Sequence, residues 1–180
     1  MRRVMVIGQP GSGKSTFARA LGEATGLPVH HMDLIHWLPG WVERPMAEKL
    51  PLVRAIEDAE AWILEGGLSR TYGSRAARAD TIVHLDVALP TRAWRVLWRR
   101  WTYRGGATRP DLPPDCPERL DPEFLRFIWR TRHSSRDRML EVMAGAPHAR
   151  TVTLRTIAEA DAFVREARRG TEGRREGRCE

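Results

Sequence analysis

The chain has 180 residues, 42% of them apolar, and a formal net charge of +7. That length suits one α/β domain with room for a small insertion, and no apolar run approaches the roughly 18 residues that would span a bilayer. The two cysteines, Cys116 and Cys179, offer no metal-ligand spacing and no disulfide framework, so a reducing cytoplasm is the expected location.

Met1-Arg2-Arg3 passes directly into apolar residues, so no secretory leader is expected. Residues 3–7 read as a buried strand, and a helix is predicted from about residue 15 to 25, with Phe17, Ala18 and Leu21 at helical spacing and Gly26 as its stop. Residues 27–32 read as a short second strand that ends at Asp33, on the carboxyl edge where α/β sheets bind ligands. His36-Trp37-Leu38-Pro39-Gly40-Trp41 reads as an aromatic loop, followed by a helix over about 45–59. Residues 61–64 form a wholly apolar and therefore central strand, ending in Glu65-Gly66-Gly67. Residues 69–79 read as helical or irregular, and 81–85 as a fourth strand ending at Asp86.

The next helix starts near Pro90. At 100° per residue, Trp94, Leu97, Trp98 and Trp101 share one face and Arg92, Arg95 and Arg99 the opposite one. That pattern predicts a tryptophan stripe in the core beneath an arginine face. Residues 104–121 contain Gly105, Gly106, Pro110, Pro113, Pro114 and Pro117, a composition that excludes regular structure and suggests a functional lid loop. Asp121-Pro122 supplies an N-cap and a first-turn proline for a helix reaching about residue 143. On it Phe124, Phe127 and Ile128 face one way, and Arg126, Arg130 and His133 the other. A fifth strand over 150–154 and a helix over 157–168 follow. Residues 170–180 are charged and expected to be disordered. Strands alternating with helices predict a five-stranded parallel α/β sheet covered by helices, a single domain over 1–169 with an Arg-rich lid at about 102–133.

The first strand and helix enclose Gly8-Gln9-Pro10-Gly11-Ser12-Gly13-Lys14-Ser15-Thr16, which fits G-x-x-x-x-G-K-[ST], the P-loop. The glycines let successive N–H groups turn into one cavity, and the following helix adds the positive end of its dipole. ATP is therefore the expected ligand of Gly8, Pro10, Gly11, Ser12, Gly13, Lys14, Ser15 and Thr16. Lys14 would reach the β- and γ-phosphates and take part in transfer, and the Ser15 hydroxyl would ligate Mg²⁺. Glu65, at the end of the apolar strand, is placed to hold a Mg²⁺-bound water. Asp33 is a candidate catalytic base or hydroxyl-binding group, and Trp37 and Trp41 are candidate walls of a substrate pocket. His30, His31, His36 and His84 show no metal spacing and are expected to be structural.

Charge is concentrated in one stretch: residues 92–138 hold 12 arginines against 6 acids. Only Lys14 and Lys49 are lysines. A basic cluster needs an anion, and nucleotide phosphates are the nearest candidate. Arg99, Arg109, Arg126 and Arg130 are the candidate lid arginines, Arg99 and Arg130 in catalysis and Arg109 and Arg126 on the substrate side. The competing reading places DNA backbone on this surface, although no groove-reading motif accompanies it.

With these residues in view, the chain resembles the adenylate-kinase branch of P-loop proteins. Trp62-Ile63-Leu64-Glu65-Gly66-Gly67-Leu68-Ser69-Arg70 resembles that family's strand-Asp-Gly-Arg stretch, with Glu in place of Asp and one extra residue before Arg70. Asp86-Val87 and Arg95-Val96-Leu97-Trp98-Arg99-Arg100 resemble its approach to the lid. The resemblance implies that Arg95 packs on the base, Arg99 contacts phosphates and Arg70 faces substrate. His31-Met32-Asp33, Pro39-Gly40-Trp41, Thr108-Arg109-Pro110-Asp111 and Cys116-Pro117-Glu118-Arg119 are similar to bacterial adenylate-kinase-related proteins called DNA topology modulation proteins. The adenylate-kinase acceptor pattern of Thr-Gly and then Arg is absent after the second strand. Asp33 there looks more like shikimate- or gluconate-type kinases. The expected function is an ATP·Mg²⁺-dependent kinase acting on a hydroxyl or a nucleoside/nucleotide acceptor. The expected partner is a small molecule, with nucleic acid second, no membrane, and a monomer or homodimer as the assembly. The alternative is a nucleotide-dependent DNA-binding protein affecting DNA topology.

Overall fold

Strand β1 (Arg3–Gly8) is buried on both faces, and its side chains divide by the two-residue period of a strand. Val4 and Val6 join one core and Met5 and Ile7 the other. Around it lie β2 (Val29–His31), β5 (Trp62–Glu65), β6 (Thr81–Leu85) and β7 (Arg150–Leu154) in the order β2-β5-β1-β6-β7, every pairing parallel. The structure, a computed structural model, describes residues 1–103, 109–117 and 122–176. Asp121, expected to cap a helix, lies outside them, as do Gly105, Gly106, Glu118, Arg119 and Cys179.

Helices α1 (Lys14–Thr25) and α8 (Ile157–Glu176) cover one face, burying Phe17, Ala18, Leu21 and Phe163 against Val4, Val6, Ile63 and Val83. The other face carries α2 (Met32–His36), α3 (Met46–Glu57), α4 (Tyr72–Arg78) and α7 (Ser134–Ala144), which bury Met32, Val53, Tyr72, Ala76 and Met139 against Met5, Ile7 and Leu64. The registers Val6↔Glu65, His31↔Glu65 and Gly8↔Leu85 bring the carboxyl ends of four strands to one edge.

Several expectations change. Asp33 is not a strand end: β2 stops at His31 and Asp33 sits in the first turn of α2. The aromatic stretch 36–41 is not a plain loop but opens a hairpin, β3 (Trp37–Leu38) against β4 (Val42–Glu43). Its turn places Gly40 and Trp41 in the left-handed region (φ 78° and 62°). The hairpin is tied down by Lys49 of α3, fully buried, which donates to His36 Nδ1 at 3.0 Å and Glu43 Oε1 at 2.6 Å.

The largest correction concerns α5 (Leu89–Thr102). Its amphipathicity is as read, but the faces are reversed. Trp94 and Trp98 are 63% and 57% exposed, and Leu97 and Trp101 are exposed as well. Arg92 is 3% exposed, and Val96 is buried beside it. Arg95 Nη1 donates to Ser12 O at 2.8 Å. Carbonyls of the phosphate loop face this helix, and guanidinium donors satisfy them where indole rings could not all do so.

The predicted single helix over 122–143 is two, α6 (Pro122–Arg130) and α7, because residues 131–133 turn aside. There the carbonyls of Thr131 and Arg132 accept from Gln9 Nε2 at 3.4 and 2.7 Å. Helix α8 continues past Gly170 to Glu176, with Thr171 Oγ1 bonded to Ala167 O. Residues 170–176 are therefore helical rather than disordered.

Candidate active site

The loop between β1 and α1 is shaped by its backbone. Gly11 has φ 78°, and a Cβ there would lie 2.5 Å from the Arg92 carbonyl. No other residue allows α5 to approach the loop so closely. Ser12 N–H closes on Gln9 O at 3.1 Å, and α1 starts directly at Lys14. The Lys14 ammonium rests on Gln9 O at 3.2 Å.

Lys14 is the centre of the charge pattern. Burial pulls its ammonium below the ordinary lysine range; Glu65 and Asp33 draw it back up, and Arg99 and Arg109 push it down. Two carboxylates and two guanidiniums therefore act on one partly buried cation, from positions separated by up to 76 residues of chain (Asp33 to Arg109). Asp33 is held above the ordinary carboxylate range, by burial first and then by Glu65, with Lys14 and Arg109 opposing. Glu65 is almost fully buried, and its Oε1 lies 2.7 Å from His31 Nδ1. Asp111 is almost fully buried too. Burial alone would raise it, but Arg109 and the Ser15 hydroxyl outweigh burial and hold it low.

No protein-family model matches the chain. A relative, cytidylate kinase of Pyrobaculum aerophilum, is 35% identical over 144 residues, which are 69% of this chain and 72% of that protein. The chain belongs to the P-loop kinases.

It is an ATP-dependent kinase. Two solved structures share its fold. Shikimate kinase from Acinetobacter baumannii, in complex with shikimate, aligns with a TM-score of 0.55 at 18% identity, over 92% of this chain and 90% of that one. An unliganded sugar kinase from Janibacter sp. HTCC2649 aligns with a TM-score of 0.50 at 16% identity, over 93% and 92%.

Of the residues singled out from the sequence, the kinase brings Lys14, Ser15, Asp33, Glu65, Arg99 and Arg109 into one cluster. Arg95 lies against the loop backbone beside Ser12 and Gly13. Trp37 and Trp41 meet edge to face, ring centroids 5.3 Å apart, on the hairpin. Arg70, Arg126 and Arg130 are exposed.

Three residues in or under the site carried no functional signal in the sequence. Arg75 is fully buried beneath the β5 loop. It donates to Gly66 O at 3.2 and 3.3 Å and to Gly67 O at 2.7 Å, and burial lowers its pKa to about 10. Its position seven residues into a polar stretch marks it no more than Arg70 or Arg78. His31 reads from the sequence as a structural histidine, and Asp111 stands out only within a stretch that carries the resemblance. Asp86 turns out to be more than a strand-end residue. Its carboxylate is gripped by Arg136 at 2.8–3.1 Å, which holds Asp86 below the usual carboxylate range.

Proposed function

We propose that the kinase transfers the γ-phosphoryl group of ATP·Mg²⁺ to a hydroxyl of a small molecule bound over the ends of β2 and β5. The chain's own groups suit a polyphosphate. Lys14 is a partly buried cation whose hydrogen bond goes to a loop carbonyl, the Ser12 hydroxyl is buried without a partner, and the curl at Gly11 leaves loop amides free to turn inward. When bound, ATP supplies the phosphoryl group and Mg²⁺ neutralises its developing charge. Lys14, Arg99 and Arg109 hold the phosphates, Ser15 offers its hydroxyl to the metal, and Arg95 packs at the base side of the loop.

The observation that carries the hydroxyl reading is that Asp33, in the first turn of α2, and Glu65, at the end of β5, lie close enough for their charges to act on each other and on Lys14. Two neighbouring carboxylates repel a phosphate acceptor. A carboxylate raised toward neutrality is well matched to taking the proton of a hydroxyl. Asp33 accepts that proton, and Glu65, fixed by His31, keeps the Lys14 charge aligned with the transfer path. Trp37 and Trp41 form the apolar wall on which the acceptor rests.

A second reading, a nucleoside monophosphate acceptor, draws on the cytidylate kinase relative. Arg99 and Arg109 would then offset the two carboxylates. A DNA role has less support, because Arg92 and Arg95 donate to carbonyls of the phosphate loop and Arg92 is buried.

The deciding experiment is acceptor-dependent ADP release across sugars, polyols, hydroxy acids, nucleosides, nucleoside monophosphates and duplex DNA. The expected result is turnover with a hydroxyl acceptor, lowered about 100-fold or more by Lys14→Ala and strongly by Asp33→Asn. Turnover confined to nucleoside monophosphates and indifferent to Asp33→Asn would favour the second reading. Stimulation by DNA alone would overturn both.

A further inference from the structure

The phosphate loop has a second side, away from Lys14. Past Gln9, where β6 and β7 end and α5 and α7 begin, the surface opens into a cavity of about 360 Å³. Gln9 lines it, and none of Gly11–Thr16, Asp33 and Glu65 does. The cavity is therefore distinct from the candidate active site. Four arginines, Arg92, Arg132, Arg136 and Arg155, line it against one carboxylate among the described residues, Asp86. Arg136 already grips both oxygens of Asp86. Three guanidiniums are left with no further lining acid to answer them.

The most telling of the three is Arg92. It is 3% exposed, its Nε is buried with no partner, and its Nη1 reaches only Pro10 O at 3.5 Å, the outer limit of a hydrogen bond. A guanidinium keeps its proton when it leaves water, so its burial is costly unless an anion is supplied. Bracing one carbonyl at that distance does not offset the cost. Arg132 lies over the Trp129 ring at 4.0 Å and donates Nη1 to Trp129 O at 2.7 Å, both uncharged partners. Arg155 is exposed. Helix α5 adds to the positive field. Ala88 and Leu89 at its start line the cavity, and its first turn has no side-chain cap and no acidic residue. The positive end of the helix dipole is thus open to an anion there.

We propose that this cavity is a second anion site, which takes a small phosphate ester. Arg92 and the first turn of α5 hold the phosphate group, with Arg132 and Arg155 beside it. Guanidinium forks match phosphate oxygens. The cavity is larger than a bare phosphate fills, and Val87, Ala88 and Leu89 offer apolar surface to the organic part of the ester.

The test uses the full chain saturated with ADP, so that the phosphate loop is filled, and follows glycerol phosphate by phosphorus resonance titration. The ester is expected to bind, and its failure to bind overturns the proposal. Arg155→Ser, at an exposed position, is expected to weaken binding about tenfold, and Arg92→Met about 10- to 100-fold. Arg155→Ser decides the matter if Arg92→Met does not fold. Lys14→Ala is expected to retain the ester. Loss of binding in Lys14→Ala with no effect of Arg155→Ser would put the ester in the kinase site and overturn the proposal. Inorganic phosphate is expected to bind more weakly than the ester. Tighter binding would make free phosphate the ligand and overturn the choice of an ester. A short DNA duplex that binds where the ester does not would overturn the proposal as well.

Discussion

His31 Nδ1 and Glu65 Oε1 lie 2.7 Å apart, both nearly excluded from solvent, at the last paired position of β2 and β5. The pair is set by register: once β2 runs parallel to β5 with Val29 opposite Ile63, His31 must face Glu65. A buried carboxylate needs such a partner to keep its orientation. The consequence is a Glu65 whose position is fixed before any ligand arrives.

His31→Ala should remove one hydrogen bond from a buried carboxylate, lowering stability by about 1.5–3 kcal/mol in urea unfolding. His31→Gln, which keeps a donor near the same place, should recover most of that loss. Equal midpoints for His31→Ala and the wild type would show that Glu65 does not depend on the pair.

Asp33 combines a functional and a thermodynamic expectation. Its folded pKa is raised by burial and by Glu65. The folded form thus holds the proton at pH values where the unfolded chain has released it, and stability falls as pH rises through that interval. Asp33→Asn should therefore be more stable than the wild type at pH 8. The gain should shrink toward zero as pH falls to the unfolded value near 4. Thermal melts at the two pH values check this, at about 2–4 °C per kcal/mol. Turnover of a hydroxyl acceptor should decline in the wild type as pH drops through the raised pKa, and a flat profile would sink the base assignment.

Arg75 holds the Gly66 and Gly67 carbonyls from below the sheet edge. Arg75→Met preserves most of the volume but leaves both acceptors bare, at about 1–3 kcal/mol for each group that finds no water. Chemical unfolding should show the loss. Raised KM for the acceptor should accompany it, since Glu65 leads directly into this loop.

The reversed faces of α5 separate two tryptophans that sequence treats alike. Trp98→Gln should change stability by no more than about 1 kcal/mol, the size of its stacking on Trp94 at 6.1 Å. Trp62→Ala, at a fully buried site, should lose about 3–5 kcal/mol. Acrylamide should quench the Trp94 and Trp98 emission strongly and the Trp62 emission weakly.

Sequence by itself determined the phosphate loop, the parallel sheet and the strand-end carboxylates. Those features are local: glycine spacing dictates the curl at Gly11, and unbroken apolar runs such as Trp62-Ile63-Leu64 can only be buried strands. Lys14, Ser15, Asp33 and Glu65 each follow from such local rules, although Asp33 proved to sit in a helical turn. Tertiary structure decided what periodicity cannot encode. A helical wheel separates the tryptophans of α5 from its arginines, yet it is the loop carbonyls of Pro10 and Ser12 that turn the arginine face inward. The break between α6 and α7 likewise follows from Gln9, more than 120 residues earlier, claiming two carbonyls. Asp111 beside Arg19 of α1 and Arg136 on Asp86 are meetings of distant segments, and only the folded chain brings their charges within reach of each other.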